Sequence, residues 1–240
     1  MGAAAALDVA KRLRVLAQSQ DEIRVVFPAA PSQNEFLRAL IVQEDLPWQR
    51  VTAFHMDEYL GLPADAEQLF GHFLRERLFD RVPLKQVHYL DPEPEDIQAE
   101  CSRYATLLQK APIDLVCLGI GENGHLAFND PPVADFDDPA VVKAVELDEV
   151  CRQQQVNDGA FPRFDAVPTH ALTLTIPALL ASKSCIAVVP GPTKTKAVAA
   201  TLQGPIATSC PASILRRHSD ATLYLDSDAA AQVTQTPASA

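Results

Sequence analysis

The sequence contains no run approaching the ~18–20 apolar residues of a membrane span, so no membrane partner is expected. It has no Lys/Arg cluster long enough to follow a phosphate backbone, and its formal net charge is −11. Nucleic-acid binding rests mainly on neutralising phosphates, so that partner class is not expected either. The acid excess reads instead as a device for solubility. The five cysteines (Cys101, Cys117, Cys151, Cys185, Cys210) include no C-x-x-C pair. That argues against a disulfide framework and a zinc site, and suits a reducing compartment. Met1-Gly-Ala-Ala-Ala-Ala lacks the basic segment of a signal peptide and the hydroxyl residue of a myristoylation site. A cytoplasmic setting is the expectation.

What is present fits one globular domain. Hydrophobic residues make up 48% of the chain and charged residues 21%, well away from disordered compositions. Helical periodicity falls on Ala3–Gln18, Leu69–Leu78, Asp96–Gln109 and Thr193–Gln203, with a short helix at Pro177–Ser182. Ser32-Gln-Asn-Glu35 has the form of a capping box opening another helix to about Val42. Strands are expected at Ile23–Phe27, Val51–His55, Asp114–Ile120, Val141–Leu147, Ala171–Ile176, Ile186–Val189 and Ala221–Leu225. This alternation predicts a Rossmann-like α/β fold over residues 1–226: a doubly wound, mostly parallel sheet with helices on both faces. The Ala/Ser/Thr/Gln-rich segment 227–240 has no core pattern and is expected to be disordered.

Open α/β sheets bind ligands outside the carboxyl ends of their strands. That rule nominates Pro28–Gln33, Met56–Pro63, Gly119–Pro132 and Pro190–Lys194. In the third, Gly119, Gly121 and Gly124 surround Asn123 and His125, with Asp130 five residues after the histidine. Glycines permit φ > 0 and close approach of a ligand, so Gly121 and Gly124 are candidate substrate contacts. His125 can move protons near neutral pH, and Asn123 and Asp130 can orient it. The plain alternative is a surface turn whose His and Asp cap the next helix. The Gly119-Ile-Gly-Glu-Asn-Gly124 pattern follows a strand but lacks the acidic residue of a dinucleotide site.

Asp57 and Glu58 are adjacent in an extended segment and must point opposite ways. Asp57 is taken as the cleft-facing general base, and Glu58 as a structural ion-pair partner. Ser32 and Gln33 open a helix after a strand, where an anion is attracted and an N-cap is also at home. Lys194 sits at the head of a helix, against the dipole, which an anionic partner would explain. The other five histidines (His55, His72, His88, His170, His218) show no metal-ligand spacing and are read as structural.

Taken together, Phe54-His-Met-Asp-Glu-Tyr-Leu-Gly-Leu-Pro63 and Leu118-Gly-Ile-Gly-Glu-Asn-Gly-His-Leu-Ala-Phe-Asn-Asp-Pro131 resemble the signatures of the glucosamine-6-phosphate deaminase (isomerase) family. The related 6-phosphogluconolactonases share the fold but usually differ after the histidine. The resemblance implies that His125 opens the pyranose ring, supported by Asn123 and Asp130. It further implies that Asp57 carries a proton between C2 and C1 and that ammonia leaves. Lys194 and Ser32 match the family's phosphate-binding positions, and no metal or organic cofactor is implied. The departures are specific. Ala29-Ala-Pro-Ser-Gln33 stands where a Gly-rich phosphate loop is usual, and Pro31 donates no backbone hydrogen bond. Asp130 stands for a glutamate. Arg152 lies in a stretch like a family arginine segment, but Gln155–Ala160 stands where many members have a further phosphate-binding arginine. The chain begins at the first helix and lacks the C-terminal extension of hexameric members, so a monomer or small homo-oligomer is expected. The alternatives are a lactonase on a 6-phosphosugar acid and a non-catalytic sugar-phosphate sensor. The second is disfavoured because Asp57, His125 and Asp130 are all retained.

Overall fold

A computed structural model of the protein describes residues 1–233. Its strands are β1 (Ile23–Phe27), β2 (Val51–His55), β3 (Asp57–Tyr59), β4 (Gln86–His88), β5 (Leu115–Leu118), β6 (Val142–Glu146), β7 (His170–Leu174), β8 (Ser184–Val189) and β9 (Ala221–Leu225). Its helices are α1 (Gly2–Leu16), α2 (Asn34–Ile41), α3 (Phe70–Arg77), α4 (Ile97–Gln109), α5 (Glu149–Asn157), α6 (Ile176–Leu180) and α7 (Thr195–Gln203). Six strands form one sheet in the order β4-β2-β1-β5-β8-β9, and every neighbouring pair is parallel.

The sequence of β1 shows why this sheet lies in the middle of the molecule. Ile23, Val25 and Phe27 pack with α1, α2 and α3 on one face, while Val26 joins the α4 side. Both faces are covered, as a parallel sheet requires. Arg24, buried in the same strand, donates to the carbonyls of Leu107, Leu108 and Ala111. It thus satisfies the open C-terminal end of α4, where a cation also suits the dipole. The opposite end of α4 is capped by Asp96, which accepts the N–H groups of Gln98 and Ala99.

The expectation of one winding sheet needs correction at β6 and β7. These pair antiparallel in a separate sheet of order β3-β7-β6. The three-residue strands β3 and β4 carry too little pattern to be seen in advance. β3 holds two carboxylates and forms because Asp57, Glu58 and Tyr59 pair with Thr173, Leu172 and Ala171. Helix α5 was also unforeseen, since its turns are mainly polar and only Cys151 and Gln155 are buried. Asp148 caps it through the Cys151 N–H. The capping box at Ser32 does not form: residues 31–33 make a 3₁₀ turn and no side chain caps α2. Residues 227–233, expected in a disordered tail, form turns that bury Ala229 completely. Apolar contact anchors them where composition alone gave no core pattern. The rest of that tail, 234–240, lies outside the described residues.

From β1 the chain moves one way to β2 and β4, and later the other way to β5, β8 and β9. The carboxyl ends of β1 and β5 therefore flank the switch in strand order, where a crevice opens in folds of this kind.

Candidate active site

A cleft of about 400 Å³ lies at that switch. The loops after β1 and β5 line it with Pro28–Asn34, Gly119–Gly121 and His125, and Lys194 enters from the turn after β8. Asp57 joins from the start of β3, and α3 and the end of α5 form the remaining wall.

His125 is held by a closed set of bonds. Its Nδ1 lies 2.9 Å from both Asn123 Oδ1 and Asp130 Oδ1. Asn123 Nδ2 donates to the same Asp130 oxygen at 2.8 Å, and Asn123 Oδ1 accepts the His125 backbone N–H. Two acceptors at Nδ1 call for the proton there, which leaves Nε2 as the ring nitrogen with a free lone pair. Gly121 makes this pose possible, because a Cβ on it would fall 2.1 Å from His125 Cε1 and 2.3 Å from both ring nitrogens. Gly124 turns the chain at φ +85°, its Hα side against Cys210. It does not line the cleft itself, and its positive φ sets the turn that carries Asn123 and His125. Asn129, fully buried, ties the segment to the second sheet through the Leu126 and Leu174 carbonyls.

The carboxylates are set apart electrostatically. Burial, with the nearby charges of Glu58 and Asp130, holds Asp57 well above the usual carboxylate range. Burial pushes Asp130 up too, but the charge and hydrogen bond of His125 and the bond from Asn123 outweigh it and leave Asp130 low. Two carboxyl groups moved in opposite directions are the mark of divided acid–base roles. His55 fixes the backbone that carries Asp57: its Nδ1 donates to the Asp57 carbonyl and its Nε2 accepts the Leu90 N–H, both at 2.9 Å. Burial lowers His55 to about 4, so it stays neutral.

Glu58 points away from the cleft, as the alternation of an extended segment requires, yet it makes no ion pair among the described residues. It accepts the backbone N–H groups of Tyr59, Phe70 and Gly71, and so caps α3 from outside. Burial raises it to about 7 against those three donors. Glu58→Gln keeps the size but turns an amide N–H toward a backbone donor. It is expected to lower stability by about 1–3 kcal/mol in urea unfolding, and an unchanged midpoint would dismiss the cap.

Lys194 is 9% exposed, and its ammonium meets no hydrogen-bond acceptor or carboxylate among the described residues. Burial lowers its pKa, with Asp158 and Glu122 opposing. A buried, unpaired ammonium in a cleft is costly unless an anion joins it. Ser32 lines the same wall, and its Oγ accepts from Gln33 Nε2 at 3.2 Å, leaving its own proton free to donate. Gln33 Nε2 also donates to the Val188 carbonyl, while Gln33 Oε1 is buried without a partner among the described residues. Arg152 is not in the cleft. It donates to the Phe164 and Val167 carbonyls and stacks on Phe164, fastening α5 to the following loop.

Several lining residues had no signal in the sequence: Gln154, Gln155 and Asp158 on one side, Phe70, Phe73 and Arg77 on the other. Gln155 accepts the buried Tyr59 hydroxyl at 2.7 Å. One glutamine of a run of three is thereby selected by a tertiary contact that spacing does not reveal.

The family model "Glucosamine-6-phosphate isomerases/6-phosphogluconolactonase" matches residues 1–224. The chain belongs to this family. A glucosamine-6-phosphate deaminase of Listeria innocua is 36% identical over 209 residues, covering 87% of each chain. One of Bacillus cereus is 39% identical over 184 residues, covering 77% of this chain and 68% of its own. Among solved structures, a monomeric glucosamine-6-phosphate deaminase superposes with a TM-score of 0.87 at 30% identity, covering 96% of this chain and 94% of that one. The 6-phosphogluconolactonase of Thermotoga maritima gives a TM-score of 0.73 at 23% identity, covering 92% of both chains, which is a likeness of fold. This member of the family is therefore an enzyme with the α/β architecture of its relatives, and sugar phosphates are the substrate class that family membership implies.

Proposed function

We propose that this chain converts glucosamine 6-phosphate to fructose 6-phosphate and ammonia. The observation that carries the reading is the placement of Asp57 and the Nε2 side of His125 on one cleft, with Asn123 and Asp130 behind the histidine. His125 Nε2 takes the O1 proton of the cyclic sugar and delivers it to O5 as the C1–O5 bond breaks. Asp57 then removes the proton at C2 and returns one to C1, while a proton of the amino group passes to O1, turning the amino aldehyde into an imine with an alcohol at C1. Water adds at C2, and ammonia leaves. A carboxylate raised above its ordinary value is the stronger base once ionised, which abstraction from carbon needs. Asp130, held low, balances the imidazolium that forms on His125. Lys194 and the Ser32 hydroxyl take the phosphate end, and Gln33 and Gly121 line the path between. The free cysteines suit a cytoplasmic enzyme. The likeness to a monomeric deaminase supports a monomer or small homo-oligomer.

The competing lactonase reaction breaks an ester and needs no base at carbon, so two variants separate the readings. With 6-phosphogluconolactone, hydrolysis that survives Asp57→Asn and is lost in His125→Ala would replace the deaminase reading. The expected result is ammonia from glucosamine 6-phosphate, lost in both variants. Lys194→Ala is expected to raise KM for the phosphorylated sugar about tenfold or more, as loss of a charged hydrogen-bond partner does. Steady-state kinetics with an unchanged KM would remove Lys194 from the site.

A further inference from the structure

The phosphate end of the cleft has lost two contacts that the family resemblance leads one to expect, at Pro31 and at the Gln155–Ala160 segment. Arg152 is committed to backbone carbonyls outside the cleft. The cations that line the cleft are Lys194 and Arg77, the second arriving from the opposite wall at the end of α3.

Arg77 is held in one pose. Its Nε donates to Asn34 Oδ1 at 2.8 Å, and Asn34 directly follows the Pro31–Gln33 turn. Its Nη1 donates to Glu76 Oε2 at 3.0 Å, and its guanidinium lies 4.0 Å from the centre of the Phe73 ring. Nη2 meets no acceptor among the described residues. A surface arginine that only solvated α3 would not need a stacking ring, a neighbouring carboxylate and a side-chain acceptor on the very loop that departs from the family pattern. Holding the fork in advance reduces the ordering cost when an anion arrives.

We infer that Arg77 is a specificity-determining residue of this enzyme, supplying the second cation for the substrate's phosphate in place of the missing loop and arginine contacts. The inference rests on the sugar-phosphate reading above. In it Lys194 and the Ser32 hydroxyl hold the phosphate from the sheet side, and Arg77 closes over it from α3. Both cations can then share the dianion, which fits a loop where Pro31 gives no N–H.

The test reads binding without turnover, so it stands even if the proposed reaction fails. Inorganic phosphate is titrated against the intact protein by calorimetry, for wild type, Arg77→Gln, Arg77→Lys and Arg75→Gln. Arg75 is exposed on the same helix, stacks on Tyr89 and does not line the cleft, so it controls for a loss of positive charge. Wild type is expected to bind phosphate, Arg77→Gln to weaken it about tenfold or more, Arg77→Lys to recover part of the loss, and Arg75→Gln to match wild type. Equal affinity in wild type and Arg77→Gln, equal losses in the Arg77 and Arg75 variants, or no phosphate binding by wild type would each overturn the inference. If ammonia is released normally while Arg77→Gln binds phosphate like wild type, the proposed reaction stands and only the role of Arg77 falls.

Discussion

Asp57→Asn is expected to leave less than about one-thousandth of wild-type ammonia release, while making the protein more resistant to heat. The loss follows from the chemistry: an amide carries no proton from C2 to C1, and positioned acid–base groups contribute roughly 10²–10⁴-fold. The gain follows from burial. Asp57 is 7% exposed, no hydrogen bond from the described residues holds its carboxylate, and Glu58 and Asp130 stand nearby, so its pKa is raised in the folded protein. Between the ordinary carboxylate pKa and the raised one, the folded chain keeps a proton that the unfolded chain gives up. Stability therefore falls as pH rises through that window. Glu58, raised to about 7, adds to the same slope. The asparagine variant lacks the Asp57 part. Its melting temperature should exceed that of wild type by a few degrees at pH 8, with the difference closing toward pH 4. Scanning calorimetry across this range checks the sign. A variant less stable at pH 8 than at pH 4, relative to wild type, would show that the carboxylate is stabilised by partners and not strained by burial.

Gly121→Ala should cost about 100-fold or more in kcat although every functional group is left in place. The added methyl would sit 2.1–2.3 Å from three atoms of the His125 ring, far inside any tolerated contact. The ring cannot keep its Nδ1 bonds to Asn123 and Asp130 and also admit that carbon. Turning it away separates Nε2 from the place where O1 and O5 must lie, and displacements of about 1 Å in such groups cost about 100-fold. Near-wild-type kcat for this variant would mean that the ring works from a different pose. The loss of stability should stay within about 1–3 kcal/mol, since the clash is with a side chain at the edge of a cleft.

How far the sequence reached depended on the reach of each signal. Strands β1, β2 and β9 were legible to the residue because short runs of apolar, aromatic and β-branched residues, too short for a helix, have few other readings. The crevice was legible too, since strand ends at a switch in order are where such sheets place ligands, and four of those ends reach the cleft or its histidine. Asn123, His125 and Asp130 could be grouped because they lie within eight residues of one another. Three things were out of reach because they depend on pairing or packing across the chain. β3 exists only through its partner strand β7. Glu58 is occupied by the start of α3 rather than by a cation. Arg77, forty-three residues after Asn34, reaches the cleft by a contact that no local pattern records. Gly124 was legible as a turn residue, and its φ of +85° bears that out, but positive φ does not tell which side of the turn faces a ligand.

The central claim is that Asp57 and His125 together turn an amino aldose phosphate into a ketose phosphate. Its most direct test is to incubate the protein with glucosamine 6-phosphate and measure ammonium and fructose 6-phosphate in the same samples, with Asp57→Asn alongside. The account predicts that both products form one to one with wild type, and that Asp57→Asn stays at the level of the blank. No ammonium from wild type above that of Asp57→Asn would contradict it.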